Sequence, residues 1–189
     1  MTEQTTFDNL HFVFGGARSG KSRFSESLVG AAGDNILYVA TAQVLDDEMR
    51  RRVAAHKARR PASWETLEAY SRTFDKLAEK LDSKTYQGVI IDCIAVWASN
   101  IIITLPEISS EDYAQSIILP ELKKLFTIVA EHPETTFVAV SNEVGLGIIP
   151  AYPLGRLYRD TLGRINQRIV RHAATACFMI AGVPLRIKG

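Results

Sequence analysis

The sequence predicts an α/β domain of three layers: a mostly parallel sheet between helices, with an antiparallel pair at its C-terminal edge. Three observations carry that prediction. Short, continuous apolar runs alternate along the chain with amphipathic segments of helical length. The first apolar run, His11-Phe12-Val13-Phe14, leads directly into a glycine-rich octapeptide and then a helical pattern. The tail from Cys177 to Lys188 reads as two strands around Gly182-Val183-Pro184, which places an antiparallel pair at an edge.

In chain order, residues 1–10 are polar at first, with neither a cationic start nor an apolar core, and are expected as a flexible extension rather than a signal peptide. Residues 11–189 are then expected to form one domain, a size at which about 70% of the unfolded surface is buried. Strands are expected at 11–15, 35–41, 88–92 and 136–141; their unbroken hydrophobicity marks strands covered on both faces. Helices are expected at 21–31, 46–59, 70–82, 94–104, 110–131 and 154–175, with Pro120 kinking or splitting the fifth. The stretch from Gly145 to Gly155 is a loop leaving a strand's C-terminal end, where open α/β sheets bind ligands.

Gly15-Gly16-Ala17-Arg18-Ser19-Gly20-Lys21-Ser22 fits the phosphate-loop pattern G-x-x-x-x-G-K-[ST] in its proper strand–loop–helix context. Gly15 and Gly20 allow the backbone to turn close to phosphate oxygens, and the following helix turns its positive end toward them. Lys21 reaches the outer phosphates, and the Ser22 hydroxyl suits Mg²⁺. The fold class is therefore a P-loop NTPase (RecA-like), and the chain binds a nucleoside triphosphate. Val89-Ile90-Ile91-Asp92 ends a buried strand in a carboxylate, a second oxygen ligand for the same Mg²⁺ or, alternatively, a helix N-cap.

Composition sets the bounds. Net charge is +1 with 47% hydrophobic and 23% charged residues, so no global field favours nucleic acid or a membrane surface. The two cysteines, Cys93 and Cys177, make no metal-binding pair and suit a cytoplasmic protein with reduced thiols. No apolar stretch is long enough to span a bilayer.

From Asp46 to Arg60 the acids come first and the bases last, in keeping with a helix dipole. Met49, Val53 and His56 fall at i, i+4 and i+7, which puts the imidazole on the apolar face, among Arg50, Arg51, Arg52, Lys57, Arg59 and Arg60. The surrounding cations favour a neutral, nucleophilic ring. Pattern alone leaves two readings open: a solvated basic helix with a packed histidine, or a nucleophile with a phosphate clamp. A nucleic-acid patch is the weaker option, because no aromatics interleave the charges. Glu68 suits a ribose or base edge and Trp64 suits packing under the helix, and both equally suit structural roles. His11, His132 and His172 read as structural, and Cys93 as a small core residue. Ser141 to Gly147 offers polar side chains and a glycine loop as an acceptor edge, followed by an arginine-rich helix.

Together these stretches resemble the bifunctional adenosylcobinamide kinase/adenosylcobinamide-phosphate guanylyltransferases of cobalamin biosynthesis, over about Phe12 to Lys188. The similarity is carried by residues 15–22, Tyr38-Val39-Ala40-Thr41-Ala42, Asp47-Glu48-Met49 with His56 and Arg59-Arg60-Pro61, and by Trp64 and Glu68. It continues through Asp92-Cys93 to Asn100, Asn142 to Pro150, Arg159-Asp160, Gly163-Arg164 and Asn166-Gln167-Arg168.

The resemblance implies two activities. One transfers the γ-phosphoryl of ATP or GTP to adenosylcobinamide, and the other moves GMP from GTP onto the resulting phosphate through a covalent GMP–histidine. By position His56 is the guanylylated residue; where many members have two adjacent histidines, this chain has Ala55-His56. Nucleotide contacts are implied at residues 15–22, at Ala40, Thr41 and Ala42, at Lys57, Ala58, Arg59 and Arg60, at Glu68 and at Asp92, with Lys21 catalytic beside His56. A homotrimer is implied as well. A plain P-loop kinase or NTPase, and a RecA-like nucleotide-regulated binding module, are the competing readings.

Overall fold

The computed structural model of the chain describes residues 5–43, 47–106 and 109–189; the side chains of Glu48, Met49, Arg52, Val53, Ala55 and His56 lie outside that description. The expectations for residues 1–4, for Asp46 and for an inward face made by Met49, Val53 and His56 fall outside it too. In chain order the elements are β1 (Phe7–Gly15), α1 (Lys21–Gly30), β2 (Ile36–Ala40), α2 (Asp47–Ala58), β3 (Glu65–Glu68), α3 (Thr73–Ser83) and β4 (Gly88–Asp92). They continue as α4 (Ile94–Ile102), α5 (Glu111–Glu131), β5 (Thr136–Asn142), α6 (Pro153–His172), β6 (Ala173–Ile180) and β7 (Val183–Lys188). Among the described residues one sheet runs in the order β3-β2-β4-β5-β1-β6-β7. Every neighbouring pair is parallel except the last, β6 with β7.

Strand alternation builds the layers. Leu10, Phe12, Leu37, Val39, Val89, Ile91, Phe137 and Ala139 face one side and pack on the buried residues of α3, α4, α5 and α6. Val13, Ile36, Tyr38, Ile90, Val138 and Val140 face the other side, toward Val29, Phe24 and Leu28 of α1. Each fully buried aliphatic or phenyl side chain contributes about 1.5–3 kcal/mol relative to exposure. The expected sheet between helices, with its antiparallel C-terminal edge, is the observed fold.

Boundaries differ where tertiary contacts override pattern. β1 begins at Phe7, not 11, because Leu10 is fully buried and Asn9 Nδ2 donates to the carbonyls of Val129, His132 and Thr135. The expected flexible extension therefore overlaps the sheet by four residues, Phe7 to Leu10. β3 was not expected at all; it is four residues long, polar, and pairs in parallel with β2. α6 ends at His172 and the chain turns straight into β6, although helix was expected through 175. Thr175 belongs to the sheet, where its Oγ1 lies 2.9 Å from His11 Nδ1. α5 runs unbroken through Pro120, because Ile118 and Leu122 on either side are both anchored in the core.

Candidate active site

The phosphate-loop residues sit where β1 hands over to α1. Gly15 has φ 152°, and a Cβ there would lie 2.5 Å from the Met179 carbonyl oxygen, so only glycine lets the loop pass β6. Gly20 caps α1 in a left-handed conformation with no side-chain cap, which leaves the first N–H groups of the helix without intrahelical partners. At Gly16 a Cβ would meet no atom of the described residues within 4 Å. Ser19 Oγ is buried without a hydrogen-bond partner among the described residues, while its carbonyl accepts from Gly182 N at 2.9 Å in the β6–β7 turn. Ala17 and Arg18 are exposed. Lys21 is buried, its Nζ donating to the Gly16 carbonyl at 2.7 Å. Burial lowers its pKa, and the negative charge of Asp92 works against that shift.

Asp92 ends β4 at the same edge of the sheet, its Cα in register with Ala40 of β2 on one side and Val140 of β5 on the other. Its Oδ2 accepts a 2.6 Å hydrogen bond from the Tyr38 hydroxyl. Burial, then the charge of Asp92, raises the Tyr38 pKa, so the phenol remains a donor. Burial likewise pushes the Cys93 thiol up to about 12, with Asp92 adding to it, which agrees with a packed cysteine rather than a nucleophile.

Thr41 is fully buried and already committed: its Oγ1 donates to the Cys93 carbonyl and accepts from Cys93 N, both at 2.8 Å. The Ala40 carbonyl accepts from Ala69 N, and the Thr41 carbonyl accepts from Asn100 Nδ2. Of the Ala40-Thr41-Ala42 stretch, Ala42 carries none of these bonds among the described residues. Thr41 thus holds the ends of β2 and β4 together.

The basic segment reaches the same place. Lys57 and Ala58 at the end of α2 are exposed, and Lys57 Nζ lies 3.4 Å from Glu68 Oε1 on β3. Arg59 Nη2 lies 3.6 Å from Glu26 Oε1 of α1, a carboxylate whose pKa burial raises against the opposing pull of Arg59 and Arg60. The Arg60 guanidinium stacks 3.5 Å above the centroid of the Tyr38 ring, and its Nη1 is 3.5 Å from Thr66 Oγ1. Lys57, Arg60, Pro61, Ala62, Trp64 and Thr66 line a shallow pocket of about 200 Å³ beside this segment.

On the other flank, β5 sets Asn142 opposite Gly15, and Glu143 N donates to the Gly15 carbonyl at 3.0 Å. The loop expected as an acceptor edge therefore starts beside the phosphate loop. Asn166 of α6 fixes its base, accepting from Ser141 Oγ and donating to the Asn142 carbonyl. Beyond it, Leu146, Ile148, Ile149 and Tyr152 are exposed, Ile148 by 97%.

A family profile described as cobinamide kinase / cobinamide phosphate guanyltransferase matches residues 11–187. The chain belongs to that family. It is 38% identical over 179 residues to the bifunctional adenosylcobalamin biosynthesis protein CobP of Pseudomonas aeruginosa, covering 94% of this chain and 96% of the relative. It is 39% identical over 183 residues to the bifunctional adenosylcobalamin biosynthesis protein CobU of Salmonella typhimurium, covering 93% and 98%. The protein of that name from Escherichia coli is 34% identical over 181 residues, covering 93% and 98%.

Within this cobinamide kinase/guanyltransferase fold, the structure brings together the loop 15–22, Asp92, Arg59 and Arg60, all linked through α1 or Tyr38. Glu68 lies opposite Ala40 in the β2–β3 register, with its carboxylate 3.4 Å from Lys57 Nζ. Three participants were not among the expected site residues, although Tyr38 and Asn100 lie in stretches that carry the family resemblance. Tyr38 lies 54 positions from Asp92, Glu26 reads as an ordinary helix carboxylate, and Asn100 reads as a polar residue on α4. The alternation of β2 was the available clue for Tyr38, since it places a phenol on the α1 face among aliphatic residues.

Proposed function

We propose that this chain phosphorylates adenosylcobinamide with ATP or GTP and then transfers GMP from GTP to the resulting phosphate, using His56 as a covalent carrier. The observation that supports it most is the bond between Glu143 and Gly15: an exposed apolar loop, suited to a bulky acceptor, begins at the phosphate cradle. The relatives' names point the same way.

In the kinase step the loop N–H groups and Lys21 hold the β- and γ-phosphates while the acceptor hydroxyl oxygen attacks the γ-phosphorus; the new O–P bond forms, the bond to the β-phosphate oxygen breaks, and the nucleoside diphosphate and the hydroxyl proton leave. In the second step a neutral ring nitrogen of His56 attacks the α-phosphorus of GTP; an N–P bond forms, the bond to the β-phosphate oxygen breaks, and pyrophosphate leaves. A phosphate oxygen of the acceptor then attacks the same phosphorus and the imidazole departs. Splitting the reaction gives the first attack an uncharged nucleophile in place of a phosphate dianion.

Ser22 and Asp92 offer the hard oxygen donors that Mg²⁺ accepts, and substrate phosphates and water complete such a shell. With Tyr38 on Oδ2, the other carboxylate oxygen of Asp92 has no hydrogen bond among the described residues. No group of three or more His, Cys, Asp or Glu side chains that could hold a metal occurs among the described residues. Bound there, Mg²⁺ would neutralise phosphate charge.

Assembly as a homotrimer belongs to the same reading; the edge strand β7, with Val183, Leu185 and Ile187 at least half exposed, offers apolar surface for subunit contact. Among the described residues no helix is long and apolar enough to cross a membrane, and we place the enzyme in the cytoplasm.

The test is turnover of adenosylcobinamide with ATP, GTP or both. Expected are the phosphate ester with either nucleotide, and the GDP derivative with pyrophosphate only when GTP is present. Phosphate ester alone under all conditions would leave a plain kinase, and no product would overturn both halves.

A further inference from the structure

Tyr38 is 4% exposed, and a phenylalanine would pack equally well against Val29 and Ile90. What distinguishes it is its use of both the hydroxyl and the ring. The hydroxyl donates to Asp92 Oδ2 at 2.6 Å, while the ring carries the Arg60 guanidinium at 3.5 Å from its centroid. Arg60 follows the last residue of α2 by two positions and His56 by four. Arg59 is held in parallel by Glu26 of α1, whose side chain is 13% exposed. One side chain on β2 therefore touches both the carboxylate at the end of β4 and the exit of the helix that bears His56.

We propose that Tyr38 is a positioning residue for guanylyl transfer, holding Asp92 by its hydroxyl and, through Arg60 on its ring face, locating the end of α2 over the phosphate loop. The inference rests on the guanylyltransferase reading and deepens it. The hydroxyl serves any step that uses Asp92, whereas the ring face serves only the step that uses α2. The two half-reactions must therefore respond differently to the two parts of the side chain.

Three variants separate these parts. Tyr38→Phe keeps volume and ring; Arg60→Met keeps the stem and loses the guanidinium; Tyr38→Leu loses both handles. Each is assayed for uptake of α-labelled GTP into protein, for γ-phosphoryl transfer to adenosylcobinamide, for calorimetric affinity toward Mg²⁺ with a non-hydrolysable GTP analogue, and for melting temperature.

Tyr38→Phe is expected to weaken Mg²⁺–analogue binding by about tenfold, the scale of one lost hydrogen bond to a charged group, and to slow both half-reactions alike. Arg60→Met, which also removes an implied nucleotide contact, is expected to slow protein labelling about tenfold more than it slows γ-transfer. Because Tyr38 acts through Arg60, the double variant Tyr38→Leu/Arg60→Met should label no more than about threefold slower than the slower single variant. Losses that multiply, or equal slowing of both half-reactions by Arg60→Met, overturn the inference while leaving the enzyme's function standing. Should Tyr38→Leu not fold, unchanged Mg²⁺–analogue affinity in Tyr38→Phe overturns it on its own. Wild-type protein that takes up no α-label would instead refute the guanylyltransferase reading, and this inference with it.

Discussion

Lys21 shows how the phosphate loop is preorganised. Its ammonium is buried and held by the Gly16 carbonyl, with burial lowering its pKa. Lys21→Met should therefore cost at least about a hundredfold in both half-reactions, the scale of one lost electrostatic contact to a transition state. Its melting temperature should not fall, because a desolvated charge is removed; calorimetric melting beside kinetics checks both. Gly15→Ala is the opposite case. Its new Cβ would need to sit 2.5 Å from the Met179 carbonyl oxygen, so the variant should lose about 1–3 kcal/mol or more of stability in denaturant melts. Gly16→Ala, with open space at that position, should keep its stability. Loop residues and Asp92 were legible because their spacing or strand-end position is itself the signal. Tyr38, Glu26 and the commitment of the Thr41 hydroxyl were not, because each depends on a partner distant in sequence.

At the scale of elements, long periodic segments were readable and short polar ones were not. β4 was placed to the residue, since a buried glycine and three buried apolar side chains ending in a carboxylate leave little freedom. β3 has no apolar run, and its place is fixed by pairing with β2 and by Glu65. That carboxylate accepts from Lys80, Lys84 and Tyr86, which clasp the edge strand to α3 and to the segment before β4. These bonds lower the Glu65 pKa to about 2. A carboxylate held below its unfolded value of about 4.3 adds stability that is full above that value and fades as pH falls toward about 2. Glu65→Gln should therefore melt lower than wild type at pH 7, by about 2–4 °C for each kcal/mol lost, with the gap closing between about pH 5 and 2. A gap independent of pH would show that the charge on Glu65 plays no part.

Across the whole molecule, the strand order brings the C-terminal ends of β1, β2, β4 and β5 to one edge, and the loop 15–22, Thr41, Asp92 and Asn142 arrive there together. The parallel pattern of buried runs made that convergence readable from the sequence. The packing of the 59–60 segment against α1 and Tyr38 was not, because it is set by two arginine contacts rather than by periodicity. If the exposed apolar residues of β7 lie between subunits, the protein should sediment at three times the mass of one chain, and Leu185→Lys should shift it toward one. The account as a whole depends most on His56 carrying GMP. The direct measurement is incubation with GTP labelled in the α-phosphate, followed by denaturing electrophoresis and mapping of the labelled peptide. The label should stay with the protein, survive base and be released by acid, map to the peptide containing His56, and vanish in His56→Ala. Label on another residue, or guanylyl transfer that persists in His56→Ala, would contradict the account.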